Sequence, residues 1–131
     1  MKKILSLAVL LTFLFASCKK DNTAITDTKH TFNVSALGFG NVINYTITSS
    51  YIAKGSTTPV VLEKKDIVGS VNVYTFSTEL NKGDTFLLEI KSNIKSSVNY
   101  TVYDGSRQLV DKRDDNIEND KMVNFKYLIT D

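Results

Sequence analysis

Tryptophan is absent from this 131-residue chain, and cysteine, histidine and proline each occur once. A single cysteine excludes an internal disulfide, so a folded domain must be held together by its core and its backbone hydrogen bonds. One histidine and one cysteine are also too few for the usual zinc sites or for a nucleophile–histidine–acid triad. These absences predict a protein that is not an enzyme and that needs no cofactor or metal.

The charge balance gives no reason to expect a nucleic-acid partner. The chain has 16 Lys and Arg against 14 Asp and Glu, and the excess of two is accounted for by Lys2 and Lys3. The rest of the chain has equal numbers of both signs, whereas nucleic-acid binding proteins carry a basic patch or stripe. A partner recognised by overall charge is therefore not indicated.

The N-terminal segment has the order of a secretory signal. Lys2 and Lys3 precede an apolar run over residues 4–16, which is shorter than the roughly 20 residues that cross a bilayer. The run ends in Leu14-Phe15-Ala16-Ser17-Cys18, with small side chains before the cysteine. This stretch resembles the lipobox of a bacterial lipoprotein, in the looser form found in Bacteroidota.

The resemblance implies that residues 1–17 are removed as a signal peptide and that Cys18 is lipidated, with palmitate among its acyl chains. Two or three acyl chains on one residue would anchor the protein stably in the outer membrane. Residues 18–29 would then be a flexible tether, because they are polar and without periodicity. The alternative is an ordinary signal peptide cut near Ala16, with Cys18 left as a free thiol. Lys20-Asp21 partly resembles a surface-export tag, so that both a cell-surface and a periplasmic location stay open.

Residues 30–131 show the period-two alternation of half-buried strands. These segments are rich in Thr, Val, Ile, Tyr and Phe, and they are separated at short intervals by residues typical of turns. The pattern predicts a single antiparallel β-sandwich, immunoglobulin-like, of seven or eight strands. The residues expected to face the core in the later strands are Phe86, Leu88, Val98, Tyr100, Val102, Phe125 and Tyr127.

Several connections can be assigned from turn chemistry. Asp104-Gly105 predicts a β-hairpin with a type I′ turn, because both residues tolerate a positive φ. Asn81-Lys82-Gly83-Asp84 predicts a turn between two further strands. Residues 63–69 are expected to form a short helical turn or a loop. The acidic stretch 111–121 is expected to be a loop before the last strand.

One predicted strand is followed by Lys82-Gly83-Asp84 and a second strand, and Val102-Tyr103-Asp104-Gly105 then precedes Leu109-Val110. This order of elements resembles the β-sandwich domain of the MmpS-type transport accessory proteins. In that family, a strand–KGD–strand element precedes a VDG-type hairpin. The resemblance covers about half of the mature chain. It implies the fold and an accessory or binding role beside another envelope protein, and it implies no site residue.

Three features are candidate sites, each with a structural alternative. Phe39, between two glycines, presents an apolar tip to a ligand or, as we expect, plugs one end of the core. Asp114, Asn116, Glu118 and Asp120 alternate as calcium ligands do, but the glycine and the terminal Glu of an EF-hand loop are absent, so we expect a solvated loop and no metal site. His30 is expected to be a solvated residue at a strand edge. Tyr51, Tyr74 and Tyr103 fall at strand ends or out of phase, and some of them are expected to be exposed.

The sequence therefore predicts a lipid-anchored, non-catalytic binding or accessory module of the cell envelope. Its partner would be another envelope protein or a surface ligand, bound by loops at one end of the sandwich: 38–41, 81–84 and 111–121. The alternatives are a structural or adhesin-type subunit that pairs through a sheet edge, and a small hydrolase.

Overall fold

The computed structural model describes residues 28–39, 43–69, 73–117 and 122–130, which form eight strands. The strands are β1 (Lys29–Phe39), β2 (Ile43–Ile52), β3 (Pro59–Gly69), β4 (Val73–Asn81), β5 (Thr85–Ser92), β6 (Ser96–Asp104), β7 (Arg107–Ile117) and β8 (Met122–Leu128). Cys18, the signal segment 1–17 and most of the tether lie outside the described residues. Among the residues described, no helix is long and apolar enough to span a membrane.

The strands form two four-stranded sheets, and every ladder is antiparallel. Sheet A has the order β4-β1-β6-β7, and sheet B has the order β3-β2-β5-β8. The prediction of an antiparallel β-sandwich with seven or eight strands is thus confirmed, and the number is eight. The chain folds as two ribbons, β1–β4 and β5–β8. In the first ribbon, β2 and β3 form a hairpin in sheet B, and β1 pairs with β4 in sheet A. In the second ribbon, β6 and β7 form a hairpin in sheet A, and β5 pairs with β8 in sheet B. The ribbons join where β1 pairs with β6 and β2 pairs with β5.

The core lies between the central strands of the two sheets. The rings of Phe32 on β1 and Phe86 on β5 stack across it with centroids 4.9 Å apart. Five of the seven residues predicted to face inward are buried: Phe86, Leu88, Val98, Tyr100 and Val102. Phe125 and Tyr127 also face inward but are only half-buried, because β8 is an edge strand that covers them on one side alone.

Tyr74, one of the three tyrosines of which some were expected to be exposed, is fully buried. The register of β4 against β1 pairs Tyr74 with Ala36, a core residue, so that Tyr74 points inward with Phe76 and Leu80. Its hydroxyl donates to the Glu63 carboxylate at 2.8 Å and lies 3.2 Å from the Ser49 hydroxyl. Tyr51 and Tyr103 are half-buried.

Two segments predicted to be irregular are strands. Residues 63–69 belong to β3, because their backbone pairs with β2 along the whole segment and Ile67 is buried. Residues 111–117 belong to β7, whose backbone pairs with β6. In both cases the charged side chains indicated a loop, whereas an edge strand carries charges readily because one of its sides faces water.

The hairpin predicted at residue 104 is confirmed, but its turn lies one residue later. Asp104 still pairs with Arg107, so the two-residue loop is Gly105-Ser106. Of these two residues only Gly105 has a positive φ, of 56°. That is the signature of a type II′ rather than a type I′ turn.

The turn that follows β4 closes the end of the sandwich at which β1 begins, here called the tether end. The carboxylate of Asp84 accepts hydrogen bonds from the backbone N–H of Lys54 at 2.9 Å and of Asn81 at 3.1 Å. Gly83 donates to the Ile129 carbonyl, and Ile129 donates to the Asp84 carbonyl. The turn therefore joins three segments that are distant in sequence.

Candidate binding face

The outer surface of sheet A carries a regular array of uncharged polar side chains. Side chains that alternate with the core residues of β4, β1 and β6 point to this surface. Antiparallel register aligns them in two rows of three across these strands. We call this array the uncharged face, and its residues are Ser77, Asn33 and Tyr103 in one row and Thr75, Ser35 and Thr101 in the other.

An apolar corner borders the uncharged face at the end of the sandwich opposite the tether end. Leu37 pairs with Val73 on β4, and Phe39 follows two residues later on the same side of β1. Phe39 is 40% exposed and Val73 is 61% exposed. The prediction that Phe39 plugs the core is therefore wrong. Phe39 continues the outward phase of β1, so its ring lies on the surface of the sheet.

The uncharged face has defined limits. Its border at the tether end is the exposed ion pair between Lys29 and Glu79, at 3.3 Å. On the side of β7 its border is the ion pair between Arg113 and Asp111, at 3.6 Å. From Ser77 to Phe39, none of the described outward positions on β4, β1 and β6 carries a charge.

A groove of about 310 Å³ lies between β1 and β4 on this side of the sandwich. Hydroxyl and amide groups from the uncharged face line it together with Val34 and Phe76. Each serine, threonine or asparagine side chain both donates and accepts hydrogen bonds. Most of the exposed lining of the groove is nevertheless apolar. The arrangement therefore suits an uncharged ligand that offers apolar surface together with hydrogen-bonding groups.

The outer surface of sheet B differs in chemistry. Its outward positions include charged residues of both signs on β3, β5 and β8: Lys64, Asp66, Glu89, Lys91 and Lys126. Some of them line a second shallow depression of about 280 Å³. Mixed charge of this kind is what an ordinary solvated surface carries. The two faces of the sandwich are thus chemically distinct.

His30 is paired with a carboxylate, which corrects the expectation of a solvated residue. Its Nδ1 lies 2.8 Å and 3.0 Å from the two carboxylate oxygens of Asp104. The side chains are only 18% and 11% exposed. Among the described side chains, no hydroxyl or thiol hydrogen-bonds to the His30 ring.

Two of the four candidate calcium ligands lie on a strand rather than in a loop. Asp114 and Asn116 lie on β7, and Glu118 and Asp120 lie outside the described residues. Alternate residues of a strand point along one direction, whereas a calcium loop wraps its oxygens around the ion. Within the described ranges, no group of three or more His, Cys, Asp or Glu residues is placed to hold a metal ion.

The three segments expected to form one binding surface, 38–41, 81–84 and 111–121, do not share one end of the sandwich. Asn81 pairs with Lys29 at the start of β1, whereas Gly38 and Phe39 stand at its end. The stretch 111–117 runs along β7 toward the same end as Phe39. A single binding surface built from all three is therefore excluded by the strand directions.

Sequence reasoning identified the polar phase of each strand but not the uncharged face. Asn33, Ser35, Thr75 and Ser77 could be read as solvent-facing positions, yet β1 and β4 are separated in sequence by two strands of the other sheet. The array exists only because both strands pair side by side. Comparison with protein-family models, with curated proteins and with solved structures finds no match for this chain.

Proposed function

We propose that this protein is a lipid-anchored, non-catalytic binding or accessory module of the cell envelope, and that it binds its partner through the uncharged face and the apolar corner. The observation that carries the proposal is the contrast between the two outer surfaces. A sheet surface that serves only to face water is expected to carry interspersed charges, as sheet B does. Between its bordering ion pairs, the outer surface of β4, β1 and β6 in sheet A instead offers hydroxyls, amides and exposed apolar side chains.

The anchor would be Cys18, in the outer membrane, with the domain on the cell surface or on the periplasmic side. Ten residues, 19–28, separate Cys18 from the first strand. A fully extended chain of that length spans at most about 36 Å. This reach would keep the domain close to the membrane while leaving its orientation adjustable.

Metabolic labelling with a clickable fatty acid tests the anchor. We expect label on the wild-type protein and none on Cys18→Ser, which should leave the membrane fraction or accumulate as an uncleaved precursor. Absence of label on the wild-type protein would contradict lipidation. The binding proposal would then be unaffected, because it depends on the folded domain alone.

Glycan and peptide arrays, together with capture of envelope proteins, test the binding face. The probe is the full chain purified in detergent. Ser35→Lys places a charge at the centre of the uncharged face, and Thr48→Lys makes a matched change at an equally half-buried outward position on sheet B. We expect Ser35→Lys to weaken binding by about tenfold or more and Thr48→Lys to leave it unchanged, because a lysine buried under a neutral ligand loses its hydration. Equal effects of the two variants would contradict the site.

Turnover assays test the non-catalytic part of the proposal. Esters, glycosides and peptides are offered to the purified wild-type chain. We expect no turnover. A reaction that Asp104→Asn or Asp114→Asn abolishes, while the variant stays folded, would establish a hydrolase instead.

A structural or adhesin-type subunit that pairs through a sheet edge is the second candidate function. The observation in its favour is β4, an edge strand of sheet A with a regular register and a single charged side chain. Strand addition uses such an edge, since main-chain hydrogen bonds supply the affinity.

A further inference from the structure

The four edge strands of the sandwich are not equally suited to pairing. On β7 the register shifts twice against β6, and Asp114 has a φ of 53°. β3 begins with Pro59, carries Lys64 and Lys65, and has a register shift against β2. β8 offers seven residues with Lys126 near its middle. Bulges, prolines and lysines are the features by which proteins protect their edges from other strands.

β4 has none of these features. It pairs with β1 over nine residues without a register shift, and Glu79 is its one charged residue. Among the described edges it is therefore the one left suitable for strand addition. We propose that β4 is an assembly edge at which β4 of a second copy of this chain pairs antiparallel, across a two-fold axis, to form a continuous eight-stranded sheet.

The residue pattern of β4 favours β4 of a second copy as the strand that pairs with this edge. Directly opposite residues of an antiparallel pair point to the same face, so the two-fold axis must pass through a residue position rather than between two residues. An axis at Ser77 uses all nine residues. Thr75 then faces Glu79 of the second copy, and no two like charges stand opposite each other.

The same register also brings core-facing residues of the two β4 strands opposite each other. Tyr74 faces Leu80 of the second copy, and Phe76 faces Thr78. Phe76 is half-buried in the single chain and stacks on Tyr74 with ring centroids 6.5 Å apart. Pairing would cover the exposed part of the Phe76 ring, which adds apolar burial to the main-chain hydrogen bonds.

The assembly would place two uncharged faces side by side on one surface. Two linked sites bind a repetitive ligand more tightly than one site does. The starts of the two tethers would lie about 30 Å apart, because each Lys29 pairs with Asn81 at opposite ends of the β4 pair. Each tether can span about 36 Å, so both anchors would reach one membrane.

Sedimentation velocity of the full chain in detergent, over a range of concentrations, tests the assembly edge. The variant is Ser77→Lys, which places two lysines against each other on the axis; Asn124→Lys makes the matched change at an exposed position of the edge strand β8. We expect a dimer for the wild-type chain and for Asn124→Lys. Ser77→Lys should raise the dimer dissociation constant by about tenfold or more. A wild-type chain that stays monomeric, or a dimer that Ser77→Lys leaves intact, would overturn the proposal.

Cross-linking decides the case in which Ser77→Lys fails to fold. Under oxidation, Ser77→Cys should give a disulfide between two copies of position 77. Thr75→Cys should not, because its two copies would lie four residues apart along the pair, beyond disulfide reach. Mass mapping of the linked peptides distinguishes these products from any that involve Cys18. Failure of Ser77→Cys to cross-link would contradict the register and leave the binding proposal for the uncharged face intact.

Discussion

Tyr74 of β4 donates a hydrogen bond to Glu63 of β3 across the gap between the two sheets, over 2.8 Å. The Ser49 hydroxyl lies 3.2 Å from the same phenol oxygen and is itself fully buried. These side chains therefore connect the edge of sheet A to the edge of sheet B on one side of the sandwich. The buried phenol oxygen is satisfied, so Tyr74 keeps its ring in the core at little cost.

Tyr74→Phe should destabilise the domain. The change retains the ring but leaves the buried Ser49 hydroxyl without this partner, at a cost of about 1–3 kcal/mol. Urea unfolding followed by circular dichroism measures the loss. Tyr103→Phe is the control, because the hydroxyl of Tyr103 bonds to Gln108 at the surface and should cost less than about 1 kcal/mol. Equal losses would show that the hydrogen bonds of Tyr74 contribute no more than a surface bond.

Stability should fall at alkaline pH. Burial raises the pKa of Tyr45, Tyr74 and Tyr100 above the ordinary value of about 10. The unfolded chain then loses these protons near pH 10 while the folded domain keeps them. Above that pH the unfolded state binds fewer protons, so the free energy of unfolding decreases, by at most about 1.4 kcal/mol per pH unit for each tyrosine.

Urea unfolding between about pH 9 and about pH 11 measures this slope. Lysines also titrate in this range, and Tyr74→Phe isolates the contribution of one tyrosine from theirs. The variant should show a shallower decline than the wild-type domain. Identical slopes would mean that the Tyr74 hydroxyl ionises as readily in the folded state as in the unfolded one.

Truncation of the two inward-facing phenylalanines of sheet B should have unequal effects. Phe86 is fully buried against Phe32, and Phe86→Ala should cost about 3–5 kcal/mol. Phe125 lies on the edge strand β8 and is half-buried, so Phe125→Ala should cost about half as much. A loss below about 1 kcal/mol for Phe125→Ala would instead indicate a surface position.

Asp84→Ala should destabilise the tether end of the sandwich. The backbone N–H groups of Lys54 and Asn81 would lose a charged acceptor, which predicts a cost of about 2–4 kcal/mol. Asp84→Asn retains one acceptor oxygen and should recover part of the loss. Thermal and urea unfolding measure both variants. Asp111→Ala, at an exposed position, is the control and should change stability by less than about 0.5 kcal/mol.

The sequence by itself determined the class of fold and much of the core. Alternation predicted which side of each strand is buried, and the structure confirms this for Phe86, Leu88 and Val98. Period two is a property of the single strand and can be read without knowledge of its neighbours. Turn residues located the hairpin at residue 105 to within one position, because positive φ is a local requirement.

Only the tertiary structure decided which strands are neighbours. The burial of Phe125, the pairing of His30 with Asp104 and the strand character of 63–69 all depend on whether a strand is central or at an edge. The uncharged face likewise joins β4, β1 and β6, which are not consecutive in the chain. Strand order follows from packing two ribbons around one core, and alternation within a strand carries no information about its partner. For that reason the sequence predicted a sandwich, whereas the structure identified the surface that we propose it uses.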